Sequence, residues 1–584
     1  MMNSTFSEIF HSPNVLDREK LSFAPATVKD LEMWAGNLSF MQLGDTSKSL
    51  FHAVLEISHL KCSETLRFDL IHSLHPTIDK VLASLEKHFF NQGPISTDRN
   101  EHIIELAMLL RCHFAGVYIN IARSAHEQLA HQKFSLFAFN QKKNLSIART
   151  LAIYYALQQL VSLLYQQQIL YSHYFTGQWL IAHQLYDIAL KNDFHMNSIN
   201  QIQGTQNILA NINQTYAQLI LLDIFNAHQI RPSEIQSLYE CSFDWVKLIQ
   251  ILPRATTLTK YVVDCNKDYP PIHQKKQNPD FEPNFFITTQ ELLEHINATF
   301  GRTPEFLSKH EQKNLSLALK FHVQTILGST TERRHDRYQY SAQLDICFSL
   351  LSAHFYLSKA KTFNETLMLE NNYGFQSESK LLLNWDKDTP DTLPQVNSSR
   401  LLDREAKQLY QTSVLDVSLN GYRIKWKGET PKNLRTGEFI LVKEETQEKW
   451  RGGVIRWIKQ STNKSLELGL EILAQEMYPC AVRMQIDLHT INYHPALLIQ
   501  KAVFQQQVTL ILPGSQTFKE HQTIYLRLGQ EEIKICLTKA LLITQSFIQF
   551  NFELINEQQQ GLLDQFMDKQ AQELNKQDLW EALK

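Results

Sequence analysis

The stretch Val414-Leu-Asp-Val-Ser-Leu-Asn-Gly-Tyr-Arg-Ile-Lys-Trp426 holds the residues best suited to do chemistry. Asp416 offers a carboxylate that accepts hydrogen bonds, and Ser418 a hydroxyl that donates and accepts. Other candidates fall away on spacing. His126 and His131 stand five apart, which on a helix puts them roughly 140° apart, on different faces, where a zinc pair needs one face. They read as ordinary helix-surface histidines. The seven cysteines, Cys62, Cys112, Cys241, Cys265, Cys347, Cys480 and Cys536, are odd in number and scattered, with no C-x-x-C. That pattern suits reduced thiols better than a disulfide framework or a metal site. No nucleophile with its base, phosphate loop or paired-carboxylate site is recognisable, so neither catalysis nor a metal or cofactor is expected.

Positioning Asp416 and Ser418 requires a hairpin. Val414 and Leu415 lead in, Asp416 to Gly421 turns, and Tyr422, Ile424 and Trp426 alternate with Arg423 and Lys425 on the way out. Asn420-Gly421 is expected to supply the positive φ of a tight turn. The turn would present both polar side chains at the rim of a sheet. More strands follow: Glu438 to Lys443, Trp450 to Trp457 with Gly452 and Gly453 marking a bulge or close approach, and Leu466-Glu-Leu-Gly-Leu-Glu-Ile-Leu473. Upstream, Leu344, Ile346, Phe348 and Leu350 alternate with Gln343, Asp345, Cys347 and Ser349.

The 584-residue chain is too long for one core. Hydrophobic content of 43% and aromatic content of 10% indicate a globular protein. A net charge of -3 gives no global field to attract nucleic acid or an acidic membrane, so an anion site must be a local basic cluster. An RNA-binding barrel is disfavoured by that charge and by the lack of basic-aromatic interleaving. The N-terminus lacks a basic start and an apolar core, and the richest apolar segment, Leu151 to Leu170, is broken by Gln158, Gln159 and Gln166 to Gln168. A cytoplasmic protein without membrane insertion is expected.

Residues 1–320 read as an all-α helical body. Leu31, Trp34 and Leu38 share a face, as do Ile103, Leu106 and Leu110, and no proline occurs between Pro94 and Pro232. Trp179, Leu180, His183, Leu185, Tyr186 and Ala189 resemble the second half of a tetratricopeptide-type hairpin, without a fixed repeat, so bundle and solenoid-like packing both stay open. Aromatics around Tyr154 and Tyr165 to Phe175 read as core packing, with a groove for a partner helix as the alternative. Beyond 484, Val508 to Pro513, Thr523 to Leu528, Ile533 to Leu537 and Phe547 to Leu554 suggest a second, degenerate small β-barrel over 485–556 without a ligand. The tail 557–584 reads as flexible, or as one amphipathic helix through Leu562, Leu563, Phe566 and Met567.

Asp-x-Ser-x-x-Gly on such a hairpin resembles the second signature of PilZ domains, the receptors for cyclic di-GMP. The Gly452-Gly453-Val-Ile-Arg456-Trp457 strand followed by Glu467-Leu-Gly-Leu-Glu-Ile-Leu473 extends the likeness. The resemblance implies an Arg-x-x-x-Arg upstream. Arg400-Leu-Leu-Asp-Arg404 is too close to Asp416 for a strand and return, whereas Arg333-Arg334-His-Asp-Arg337 precedes the strand at Gln343. It also implies a six-stranded antiparallel PilZ-like barrel over 326–484, with an insertion at about 361–405, helical near Thr362 to Leu369, so the fold class is α+β multidomain. The implied ligand is cyclic di-GMP, held by Arg333, Arg334, Arg337, Asp416, Ser418 and Gly421. An arginine fork matches guanine O6 and N7, and a carboxylate suits its N1–H and N2–H₂ donors. The expected function is a non-enzymatic effector coupling the dinucleotide to an unidentified protein partner through the helical body, in motility, surface attachment or biofilm control. The alternative is a nucleotide-independent structural adaptor with a degenerate barrel.

Overall fold

The computed structural model describes residues 9–581 apart from 11–14, 91–97, 133–138, 205–206, 301–305, 330–337, 362, 368–407, 419, 446, 448, 462–464, 485–492, 501–507 and 515–516. Two compact units result: Met1–Ala227 with Pro232–Ser329, and His228–Arg231 with Thr330–Lys584.

The first unit begins with α1 (Val28–Gly36), α2 (Leu43–His59), α3 (Glu64–Glu86), α4 (Asp98–His131), α5 (Phe139–Ile169), α6 (Gln178–Lys191), α7 (Ile199–Gln203), α8 (Ile212–Ile224) and α9 (Pro232–Trp245). Helix α5 is the axis. It packs against α3, α4, α6, α8 and α9, a bundle around one buried helix rather than a stack in which each repeat meets only its neighbours. By length and composition α4 and α5 could cross a membrane, yet 83% of the most apolar window of α5 is buried within the unit. Three of its glutamines are buried with partners. Gln159 Oε1 accepts from Arg111 Nη1 at 2.8 Å, Gln167 and Gln178 exchange amide hydrogen bonds at 2.9 and 3.0 Å, and Gln168 Nε2 donates to the Leu222 carbonyl at 2.8 Å. Several polar residues that appeared to interrupt an apolar run are thus core residues held by hydrogen bonds, while Gln166 is buried with neither side-chain atom hydrogen-bonded.

The expectation of an all-α body needs correction. Strands β1 (Gln250–Leu252), β2 (Tyr261–Val263), β3 (Ile272–His273) and β4 (Phe285–Thr288) form an antiparallel sheet in the order β1-β4-β2-β3. Two to four residues each, they are too short for a period-two pattern to register. The sheet is tied to α6 by Asp268, whose carboxylate accepts from the backbone N–H groups of Gly177, Trp179 and Leu180 at 2.6, 3.0 and 3.0 Å. These are donors that a helix start leaves unpaired. Helices α10 (Gln290–Thr299), α11 (Lys309–Asn314) and α12 (Leu317–Gly328) complete the unit.

The second unit holds two closed barrels. In the first, β6 (Gln343–Phe348), β7 (Tyr410–Ser418), β8 (Gly421–Trp426), β9 (Phe439–Glu444), β10 (Arg451–Gln460) and β11 (Leu466–Ala474) run in the order β7-β6-β9-β10-β11-β8, and β7–β8 pairing closes the ring. A short β5 (Tyr338–Gln339) extends the ring beside β7. Leu344, Ile346, Val414, Ile424, Trp426, Val442 and Leu468 fill it. The alternation from Leu344 ends at Phe348. Ser349, at φ 85°, turns the chain, and its hydroxyl accepts from Ser352 N to start α13 (Leu350–Leu357), where a strand residue was expected at Leu350. A one-turn α14 (Phe363–Thr366) follows, and the rest of the insertion, 368–407, lies outside the described residues.

The second barrel has six strands, two more than its sequence suggests: β12 (Glu476–Arg483), β13 (His494–Gln500), β14 (Thr509–Pro513), β15 (Thr523–Leu528), β16 (Glu531–Ile543) and β17 (Phe547–Leu554), in the order β12-β13-β14-β17-β16-β15. Residues 476–483, assigned from sequence to the first barrel, belong here. Strand β12 is buried at six successive positions, because one face meets the barrel core while the other meets α13 and the first barrel. A strand buried on both faces loses its alternation, and Pro479 and Pro495 further mask the pair. Helix α15 (Gln560–Glu581) lays Leu563 into the barrel core, with Phe566 and Met567 against it.

Candidate functional site

Strands β7 and β8 are paired Ser418 to Gly421, Val417 to Tyr422 and Asp416 to Arg423. Ser418 Oγ donates to the Gly421 carbonyl at 3.4 Å. Gly421 does not have the positive φ expected of it. Its role is close approach. A Cβ there would stand 2.1 Å from the Leu470 carbonyl oxygen of β11. Gly453 serves alike, 2.6 Å from the Glu471 carbonyl oxygen, beside a register shift in β10.

Asp416 faces outward beside Arg423, whose Nη1 is 3.3 Å from its Oδ2, while Arg423 Nη2 and Nε reach Glu467 at 2.6 and 3.1 Å. The Glu467 hydrogen bond, with Asp416 adding to it, raises the Arg423 pKa. On its other side Asp416 is in register with Gln339 of β5, and Val417 with Tyr338. Tyr338 is the residue that follows Arg337 in the chain. Arg333, Arg334 and Arg337 themselves, like Arg400 and Arg404, lie outside the described residues. The structure therefore brings together Asp416, Ser418, Gly421 and the strand that continues from the arginine segment.

A second group escapes a sequence reading. The register Leu344 to Glu444 turns the Glu444 side chain into the barrel mouth. Its side chain is 8% exposed, and the carboxylate accepts from Tyr422 Oη at 2.5 Å, Arg451 Nη2 at 2.6 Å, Tyr340 Oη at 3.2 Å and Gln447 Nε2 at 3.3 Å. Burial pushes the Glu444 pKa up, but the hydrogen bonds from Tyr422 and Arg451 outweigh it and hold the carboxyl below its usual range. The one legible signal was a Glu closing an apolar strand. A cavity of about 260 Å³ at the far end of β7, lined by Phe348, Tyr410, Thr430, Lys432 and Asn433 among others, contains none of the motif residues. Among the described residues no His/Cys/Asp/Glu group is arranged to hold a metal, and the cysteines are unpaired.

A closed six-stranded antiparallel barrel with Asp-x-Ser-x-x-Gly on one rim hairpin, entered by a strand that follows an Arg-x-x-x-Arg, defines a PilZ-domain protein. Comparison narrows the class. The N-terminal domain of the cyclic-di-GMP receptor FimW matches residues 29–255, its middle PilZ domain 260–392 and 385–479, and its C-terminal β-barrel domain 480–555. The chain belongs to the FimW family. The cyclic-di-GMP receptor FimW of Pseudomonas aeruginosa is 24% identical over 569 residues, covering 92% of each chain. No solved structure matches.

Proposed function

We propose that this chain is a cytoplasmic cyclic di-GMP-binding effector without catalytic activity. It couples the second messenger to a protein partner engaged by the helical body, in control of motility, surface attachment or biofilm formation. The observation that carries the reading is the register of β5 on β7. It sets Gln339 beside Asp416 and Tyr338 beside Val417, and one peptide bond separates Tyr338 from Arg337. The two halves of the motif, 79 residues apart in sequence, are thereby linked through adjacent strands. Asp416 would accept from the guanine N1–H and N2–H₂ groups, with Ser418 adding a hydroxyl. Arg333, Arg334 and Arg337 would take the O6/N7 edge and the phosphates. A ligand that binds the arginine segment and the rim together alters the surface offered to a partner.

Isothermal titration of the full chain with cyclic di-GMP tests this. A Kd of about 1 μM or tighter, on the order of −8 kcal/mol, is expected, with loss of at least tenfold in Arg337→Ala and in Asp416→Ala. No heat and no thermal shift with wild-type protein would leave the nucleotide-independent adaptor. Partner recovery in pull-downs would then be equal with and without the dinucleotide.

A further inference from the structure

Among the described residues of the first unit, the buried arginines are Arg67, Arg111 and Arg149. Two are paired. Arg67 holds Glu64 at 3.2 Å and donates to the Ile57 and Ser58 carbonyls at 2.6 and 3.2 Å. Arg111 holds Glu86 at 2.6 Å and donates to Gln159 at 2.8 Å. Arg149 on α5, 9% exposed, has no such partner among the described residues. Its Nε is enclosed without a hydrogen bond, and its guanidinium lies over the Phe194 ring, 4.2 Å from the centroid. Burial lowers its pKa, and no neighbouring acid counters that. A buried cation without a counter-ion is expensive to keep, so buried charges are paired as a rule. Arg149 lacks an anion.

A cavity of about 300 Å³ opens between α4 and α6. Arg123 and His126 of α4 form its polar wall, and Ile181, Leu185 and Ile188 of α6 an apolar one. His126 links the cavity to Arg149. Burial, and after it the Arg149 charge, lowers the His126 pKa, and its Nδ1 is enclosed without a hydrogen bond. Arg123 donates to the Phe10 carbonyl at 2.9 Å, and burial lowers its pKa too, which exposed Glu127 offsets only in part. The other acid lining the cavity, Asp187, is already held by Lys191 at 2.6 Å.

We infer that this cavity binds a small organic anion, its carboxylate or phosphate head set among Arg149, His126 and Arg123 and its apolar body along Ile181, Leu185 and Ile188. An arginine fork matches either head with paired hydrogen bonds, and the volume lies at the small end of ligand pockets. None of these residues belongs to the dinucleotide motif, so the inference stands independently of the receptor reading.

Thermal unfolding of the full chain with butyrate, butyl phosphate or inorganic phosphate, against chloride at matched ionic strength, tests this. At saturation butyrate or butyl phosphate should raise the melting temperature by about 2–4 °C, and the larger shift identifies the head. Inorganic phosphate, with no body for the apolar wall, should do less. Arg149→Met should abolish the shift, and without ligand should melt no lower than wild type, because it removes an uncompensated buried charge. His126→Gln should weaken binding at least about 3-fold, with the ligand-free melting temperature held. A wild-type shift no larger than that of chloride would overturn the inference, as would a shift that survives in Arg149→Met. An Arg149→Met protein that melts well below wild type without ligand would also overturn it, since the chain itself would then supply the counter-ion.

Discussion

Gly421 illustrates how one residue type can be right for a different reason than the sequence suggests. Asn-Gly between two strands is the usual mark of positive φ, yet here glycine is required because β11 passes against its Cα. Gly421→Ala should therefore destabilise the barrel by about 1–3 kcal/mol, as overpacking against backbone does, and a shift in the urea midpoint at unchanged m-value would measure it. Survival of the midpoint would mean that β8 and β11 can separate without loss. Asp416 is the opposite case. Its partner Arg423 has a 39% exposed side chain, and ion pairs that exposed contribute under about 1 kcal/mol. Asp416→Ala should fold like wild type, which makes it a clean variant for the binding experiment.

At the scale of elements, a start signal in α11 organises the end of the helical unit. Ser308 and Glu311 form a capping box, and the buried Glu311 carboxylate also accepts from Trp245 Nε1 at 2.8 Å and pairs with His295 Nε2 at 2.6 Å. Burial opposes its ionisation, but the His295 and Trp245 hydrogen bonds prevail and bring its pKa to about 2, from an ordinary 4.5. A carboxyl with a depressed folded-state pKa contributes stability that is present above the unfolded value and lost as pH falls through the folded one. Stability of the helical unit should thus decline between pH 4.5 and about 2, and Glu311→Gln should flatten that decline. Glu311→Ala, which strands buried donors, should cost about 1–3 kcal/mol at neutral pH. Urea titrations at several pH values, followed by tryptophan fluorescence, check both. An unchanged acid slope in Glu311→Gln would refute the assignment.

Across the second unit the two barrels share one packed joint. His354 of α13 bonds through Nε2 to the Cys480 carbonyl of β12 at 2.8 Å, and Ser546 donates to the buried Glu438 at 2.6 Å. Phe439 and Phe547 meet edge to face, and a Cβ on Gly452 would strike Met477 Sδ at 2.4 Å. Phe363 and Leu367, at the head of the insertion, pack with Ala481 and Tyr493 of the second barrel, so the insertion begins on the neighbouring domain. Thiol accessibility reports on the folded molecule as a whole. Cys112, Cys241, Cys265, Cys347 and Cys480 are buried, and only Cys62 and Cys536 are partly exposed. Burial pushes up the pKa of Cys62 and of each buried thiol. A thiol reagent should modify Cys536 and, more slowly, Cys62 in the native protein, and all seven after denaturation. Rapid native modification of Cys480 would mean that the joint opens.

Read alone, the chain determined the rim hairpin that carries both Asp416 and Ser418, the order of helical body and two barrels, and the strands with one wet face. Those features are local, or leave a periodic imprint because alternate side chains meet water and core. What tertiary structure alone decided lies where that imprint is erased or distant. Strand β12, buried on both faces, shows no alternation, and the four-stranded sheet is too short to show any. Tyr340 and Glu444 lie 104 residues apart in sequence, and their hydrogen bond exists because barrel closure turns both into one mouth. Gly421 stood in the motif from the start, but the strand that demands a glycine there is reached only when the ring is closed.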